Sequence, residues 1–415
     1  MKLKVLELFG GIGACSKALE RLGIDYEIVD YVEIDKYAAK SFNAIHDTNF
    51  EPQDICKWDK DIEVDLIMHG SPCQDFSLAG KQAGGDKNSG TRSSLMYETI
   101  RIVEKLKPKY VIWENVKNLL SKKHRHNFDA YLETMESLGY TNYYQVLNAK
   151  DYGIPQNRER VFTISILNST VNSAVMQNFE FPPKQELKLK LKDMLEDEVD
   201  EKYYLSDKMV EYISADNEKW TGNNDKSIIN KSVASAINTG EGSRRCDASN
   251  YISNQVEENF NLKIKNNTKK GYLEAYDGDG VNISSRMKYQ RGNVQKESIQ
   301  TLTTSGGNDR GVVVDKLPGS YGRDFGSKGK IQNKEYCDTL TASMGTGGGN
   351  VPIFQNNLRI RKLTPREVWR LMGFDDEDFE KAAKVNSNSQ LYKQAGNSIV
   401  VNVLEAILNN LLNQK

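Results

Sequence analysis

Cys73 stands in the run Gly70-Ser71-Pro72-Cys73-Gln74-Asp75-Phe76-Ser77, directly after the apolar stretch Val64 to Met68. A strand over that stretch would present the thiol at its carboxyl edge, on a polar loop stiffened by proline, where sites in open α/β sheets lie. Trp113-Glu114-Asn115-Val116 follows a second apolar stretch and sets a carboxyl group at the end of another strand. A thiol with a nearby acid is a constellation for covalent catalysis. The other four cysteines, Cys15, Cys56, Cys246 and Cys337, read as small buried hydrophobes. Gly11-Ile12-Gly13 follows the first apolar stretch and allows close backbone approach to a ligand. A dinucleotide fingerprint would want a third glycine at position 16, where Ser16 stands, so this loop reads as a cofactor cradle or as an ordinary tight turn. Glu33 ends the second apolar stretch, as an acid holding a ribose diol or as a solvated strand end.

These residues need a scaffold, and the chain spells one. Apolar stretches at Leu3 to Phe9, Glu27 to Val32, Val64 to Met68, Lys109 to Trp113, Tyr143 to Leu147 and Val161 to Ile166 predict strands. Helical spacing joins Ala18, Leu19 and Leu22, then Met96, Ile100 and Val103, and again Asn127 to Leu138 before Gly139. This alternation predicts an α/β fold with a doubly wound, mostly parallel, Rossmann-like sheet. From 169 to 355 the chain is rich in Gly, Asn, Ser and Lys, and reads as a second, smaller, irregular, mainly β domain. Two similar stretches there, Ser298 to Thr304 and Tyr336 to Ala342, suggest paired hairpin elements. Asp277-Gly278-Asp279-Gly280 fails as a calcium loop, because Val281 takes the next ligand position. Thr364-Pro365-Arg366-Glu367 spells a helix start with a capping box. The apolar spacing of Ser398 to Leu412 predicts a helix packed back on the first domain. The expected division is 1–168 with 386–415 as the first domain, 169–355 as the second, and 356–385 as a hinge segment.

Composition narrows the classes. With 415 residues there is length for two or three domains, and 38% hydrophobic with 27% charged residues is ordinary for a folded chain. No apolar run approaches the ~18–20 residues of a membrane span, and the first residues lack a secretory h-region. Five cysteines without CxxC spacing suit reduced thiols, with no metal site expected. A net charge of −1 means that any nucleic-acid face must be locally basic. Lys263, Lys265, Lys269, Lys270, Arg286 and Arg291, beside Arg359, Arg361 and Lys362, are the candidates for such a face.

Taken in order, Phe9-Gly10-Gly11-Ile12-Gly13, Pro72-Cys73-Gln74, Glu114-Asn115-Val116, Gln156-Asn157-Arg158-Glu159-Arg160 and Gln394-Ala395-Gly396-Asn397-Ser398 resemble the motif series of the DNA (cytosine-5)-methyltransferases. Arg361 to Glu367, continuing through Met372-Gly373-Phe374, is similar to the family's penultimate motif. The resemblance covers 1–168 and 356–415, and 169–355 corresponds to the family's target-recognition region. It implies methyl transfer from S-adenosylmethionine to C5 of a flipped-out cytosine, with Cys73 as nucleophile at C6 and Glu114 at N3. Arg160 would reach O2 of the base and orient Glu114, and Arg158 would serve a phosphate or the nucleophile loop. For the cofactor it implies Phe9 on the adenine, Gly11, Gly13 and Pro72 in the cradle, and Glu33 on the ribose. It further implies Ile34, Asp54 and Ile55 near the adenine, with Asn397 and Ser398 closing the pocket. No third strand is evident directly before Asp54. The polar stretch Gln74 to Arg92 would be the lid. A Thr-Leu dipeptide reads DNA in this family, and both Thr301-Leu302 and Thr339-Leu340 qualify. The resemblance implies double-stranded DNA as partner, a monomer in the bacterial cytoplasm or nucleoid, no membrane, and leaves a cognate restriction endonuclease open. The other readings are a nicotinamide dehydrogenase, against which Ser16 and the lack of a catalytic histidine beside the thiol–carboxyl pair count, an inactive DNA-binding relative, and an RNA-modifying relative.

Overall fold

The computed structural model describes residues 2–72, 92–170, 179–204, 262–266, 268–276, 278–282, 293–300, 310–315, 319–321, 331–333 and 358–412. Strands β1 (Leu3–Leu8), β2 (Tyr26–Val32), β3 (Leu66–His69), β4 (Tyr110–Val116), β5 (Tyr140–Asn148) and β7 (Glu159–Leu167) form one sheet in the order β2-β1-β3-β4-β7-β5. The short β6 (Gln156–Asn157) precedes β7. The first four strands of the sheet are parallel, and β7 runs antiparallel to both β4 and β5. All six expected strands are present. Parallel neighbours need crossovers, and α1 (Ala14–Arg21), α2 (Lys36–His46), α3 (Met96–Leu106) and α4 (Arg125–Ser137) lie between the strands. Strand β4 runs through Val116, past the expected end at Trp113, because β7 pairs with it as far as Arg160.

Side chains alternate across the sheet. Val5, Leu66, Met68 and Ile112 join α1 in one buried cluster, while Leu6, Leu8, Ile67, Val111 and Trp113 join α3 and α4 in the other. Cys15 is buried there as expected, but Cys56 is exposed. Cys56 lies on a single 3₁₀ turn, Ile55–Lys57, whose inward residue is Ile55.

The chain's end completes the first cluster. Helices α5 (Pro365–Arg370), α6 (Asp376–Ala383), α7 (Asn388–Asn397) and α8 (Val401–Leu412) follow one another closely. Thr364 caps α5 as its sequence predicts, with Glu367 returning the reciprocal bond. Val401, Leu404, Ile407, Leu408 and Leu411 are buried with α1, so the C-terminal segment does pack back on the sheet. Residues Asn388–Leu412 have the length and apolarity of a membrane span, but 56% of their most apolar 18 residues are buried in the fold and the helix breaks after Asn397. The expected hinge divides: Leu363, Val368, Trp369, Met372 and Phe374 sit in the same cluster as Val5 and Leu66, whereas Leu358–Lys362 is a strand of the second sheet.

That second sheet has the order β11-β10-β13-β16, from β10 (Gly280–Asn282), β11 (Val294–Gln295), β13 (Arg310–Asp315) and β16 (Leu358–Lys362). Two antiparallel pairs accompany it: β8 (Leu262–Lys265) with β9 (Tyr272–Ala275) before it in sequence, and β14 (Gly319–Tyr321) with β15 (Ile331–Asn333) between β13 and β16. Strand β12 (Ile299–Gln300) pairs with β6 of the first domain. Among the described residues, 171–357 holds no α-helix. Asp279 is buried, and accepts from Tyr276 N (2.9 Å), Glu297 N (3.0 Å) and Lys296 Nζ (2.8 Å), which makes it the pin of a turn.

Candidate active site

Four parallel strands open their carboxyl ends at one edge, the position of sites in such sheets. Phe9 leaves β1 at φ 52, a left-handed conformation rare for a bulky residue and characteristic of ligand clamps. Gly11 follows at φ 57, and a Cβ built there meets nothing within 4 Å. Its bare Cα therefore faces open space. A Cβ at Gly13 would lie 2.1 Å from His46 Nε2 and 2.9 Å from Phe42, so that glycine answers to packing against α2.

Glu33, at the end of β2, accepts from Asp35 N (2.8 Å) and Gly11 N (3.3 Å). Burial raises its carboxyl above the ordinary range, against the pull of those bonds. Ile34 beside it is 71% exposed, a large apolar side chain left open to solvent. Gln53 N donates to Glu33 O (2.9 Å) and Gln53 Nε2 to Tyr31 O (2.6 Å), which draws Asp54 and Ile55 to the same edge. No third strand lies between β2 and Asp54; Asp54 caps the Ile55–Lys57 turn by accepting from Cys56 N (3.0 Å). An open glycine, a carboxylate at a strand end and an exposed aliphatic side chain fit an adenosine group, with the diol on the acid and the base on the apolar surface.

Ser16, which breaks the glycine fingerprint, has a partner of its own. Glu7 on β1 is 2% exposed and accepts from Ser16 N (3.0 Å) and from the Ser16 hydroxyl. Gly13 gives α1 no side-chain cap, so the carboxyl group from the preceding strand takes that place as acceptor.

Cys73 lies outside the described residues, but its approach is held. Trp113 Nε1 donates to Ser71 Oγ (2.9 Å) and Asn115 Nδ2 to Ser71 O (3.3 Å), tying Ser71 and Pro72 to β4. Glu114 lies between those two anchors. Its Oε2 is 3.8 Å from where a Gly70 Cβ would sit, and Ile399 Cδ1 is 3.6 Å from that point. Arg160 Nε stands 3.0 Å from Glu114 Oε1, with both side chains largely enclosed. The pairing follows from register: Glu114 faces Phe162 and Arg160 lies two residues before it, on the same face of the sheet. His69 stacks on Trp113 at 5.6 Å, and burial pushes its imidazole down to about 3, so it supports the site uncharged.

Arg158 is 4% exposed and its Nη2 donates to Ser398 O (2.7 Å) and Gly396 O (3.3 Å). It braces the C-terminal motif against β7. Ser398 is buried and Asn397 exposed at the end of α7. The same helix is clasped to the Glu33 side, with Lys393 on Asp35 (2.7 Å) and Gln394 Nε2 on Tyr37 O (2.9 Å). Ser71, Glu7 and the Asp35–Lys393 pair were missed by motif reading; only the polar Glu7 inside an apolar strand was a signal.

The expected basic face is kept only in part: Lys269 and Lys270 are exposed. Thr301, Leu302, Thr339, Leu340, Arg286 and Arg291 lie outside the described residues. Lys265 is buried, and Lys263 lies over the Tyr272 ring at 5.3 Å. Arg361 is 1% exposed and forks onto Glu367 (2.8 and 2.7 Å), so it is a core ion pair and not a DNA contact. Glu367 also accepts from Thr364 N (2.7 Å) and Glu196 N (2.8 Å).

A family model for C-5 cytosine-specific DNA methylases matches residues 3–413. Among curated relatives, the orphan methyltransferase M.SPRI of Bacillus phage SPR is 33% identical, covering 99% of this chain and 98% of its own. The type II methyltransferase M2.ScrFI of Lactococcus lactis subsp. cremoris is 32% identical, with 99% of each covered. Among solved structures, the Entamoeba histolytica methyltransferase EhMeth matches with a TM-score of 0.57 at 15% identity, over 100% of this chain and 98% of that one, a likeness of fold alone.

Proposed function

Because the chain belongs to the C-5 cytosine-specific DNA methylase family, and so methylates DNA cytosine with S-adenosylmethionine, we propose a covalent mechanism carried by Cys73, Glu114 and Arg160. A cytosine inside a duplex keeps C5 and C6 in the stack, so the target base leaves the helix first. The Cys73 thiolate then adds to C6, and the electron pair it displaces builds up at C5 and across the ring to N3. Glu114 holds N3 by a hydrogen bond and shares its proton, which lowers the cost of that charge. Arg160 fixes the carboxyl of Glu114 and reaches towards O2. S-adenosylmethionine, when bound, supplies the electrophilic methyl group that C5 takes. Loss of the C5 proton to solvent lets the S–C6 bond break, restoring the aromatic ring and the thiolate.

Glu33 would hold the ribose, with Phe9, Ile34 and Ile55 about the adenine. Gly11 and Pro72 would leave room for the chain of the cofactor, and Asp54, Asn397 and Ser398 would line the remaining wall. Gly13 and Arg158 belong to the supports of that pocket. Choice of sequence rests with 169–355, through one of the two Thr-Leu dipeptides. The observation that supports the mechanism best is the Glu114–Arg160 pair at 3.0 Å, bordering Gly70 three residues before Cys73.

The test is trapping. On DNA with 5-fluorocytosine at the target, and S-adenosylmethionine present, the C5 proton is replaced and the adduct persists on a denaturing gel. Cys73→Ala should form none. An adduct that survives the substitution, or maps to another cysteine, removes Cys73 from the mechanism.

A further inference from the structure

A duplex needs a local basic surface on a chain of net charge −1, and two of the cations expected to form one, Lys265 and Arg361, are buried. We propose that residues 117–126 of the catalytic domain form a phosphate-binding surface for the substrate duplex; this rests on the DNA-methylating activity and adds a second place of contact to it. The run Lys117-Asn118-Leu119-Leu120-Ser121-Lys122-Lys123-His124-Arg125-His126 holds four lysines and arginines, two histidines and no acid. It leaves β4 directly after Glu114, Asn115 and Val116, so it rises from the same sheet edge as the candidate site.

The segment is built, with its cations turned outward. Leu119 and His124 are buried, and His124 N and Arg125 N both donate to Ser121 O (3.0 and 2.8 Å). Lys122, Lys123 and His126 are exposed. Lys117 is matched by Glu159 (2.9 Å) and Arg125 by Asp129 (2.7 Å), with the Arg125 guanidinium over Phe128 and Tyr144. Lys122 has no ion pair or hydrogen bond among the described residues.

Ion pairing within the fold accounts for Lys117 and Arg125 but not for Lys122. The segment runs into α4, whose first turn carries no acid. Cations at the positive end of a helix are unfavourable, by about 0.3–1 kcal/mol each when exposed. A polyanion laid across Lys122 and Lys123 reverses that sign. Phosphate contacts of this kind set position and affinity and carry no base sequence.

The experiment compares the full chain with Lys122→Gln/Lys123→Gln, using a duplex that contains the site mapped by bisulfite sequencing and an unrelated duplex of equal length. Each lost contact removes about 0.9 from the slope of log K against log salt. The double variant should therefore be shallower by about 1.8, and the wild-type advantage should shrink about 12-fold between 50 and 200 mM salt. The loss should be alike on both duplexes, with KM for S-adenosylmethionine and melting temperature unchanged, and Lys122→Arg/Lys123→Arg should keep the wild-type slope. An unchanged slope in the glutamine variant, or a loss confined to the cognate duplex, overturns the proposal while leaving the activity intact. A wild-type chain that methylates no DNA would overturn the activity and the proposal together.

Discussion

Replacing Glu7 by glutamine should make the protein's stability less dependent on pH, in one direction and over one window. Burial raises the Glu7 carboxyl from 4.5 to about 7, with the two Ser16 hydrogen bonds pulling the other way. An unfolded chain loses that proton near 4.5. Between the two values the folded protein keeps a proton that the unfolded chain has released, so stability falls as pH rises through the window. At about 1.4 kcal/mol per pH unit, the full window amounts to about 3 kcal/mol. Glutamine has the shape of the protonated acid and an oxygen for Ser16, but never ionises. The variant should gain on the wild type by about 3 kcal/mol from pH 4.5 to pH 7.5. Buried His46 and His69 are held down to about 4 and about 3. They act with the opposite sign, losing stability as pH falls, but they are common to both proteins and cancel in the difference. Urea unfolding of both proteins across the window, followed by tryptophan fluorescence, measures it. A difference that stays constant with pH, or grows as pH falls, would refute the reasoning and mean that Glu7 is ionised within the fold.

Glu114→Gln can still hydrogen-bond N3 but cannot share a proton, so single-turnover methyl transfer should fall on the order of 10²–10⁴-fold with little change in melting temperature. Near-normal turnover with a lowered melt would make Glu114 a structural acceptor only. Arg361→Met leaves the Glu367 carboxylate buried without its guanidinium, and should cost about 3–5 kcal/mol in urea unfolding. A loss below about 1 kcal/mol would show that Thr364 N and Glu196 N satisfy Glu367 by themselves.

The sequence by itself determined the elements and the family to which they belong. Six apolar stretches became six strands of one sheet, because alternation along a strand is local and each stretch carries its own. The capping box at Thr364 and the apolar stripe of α8 are likewise spelled within a few residues. Motif order further implied that Glu114, Arg160 and the chain's end belong to one site. Tertiary structure alone decided which distant group each charge meets. The antiparallel register of β4 and β7 sets Arg160 on Glu114, while Arg158, two residues earlier, turns to the carbonyls of Gly396 and Ser398. Arg361, expected on a DNA face, is enclosed with Glu367, and Asp54 is drawn to the carboxyl edge of the sheet through the Gln53–Glu33 bond without a strand to carry it. Ser16, a flaw in a glycine pattern, became the partner of Glu7 across the loop. A residue's type and period are properties of its neighbours in the chain, but the partner that neutralises a charge is fixed by register and packing between segments far apart, and no local pattern encodes that.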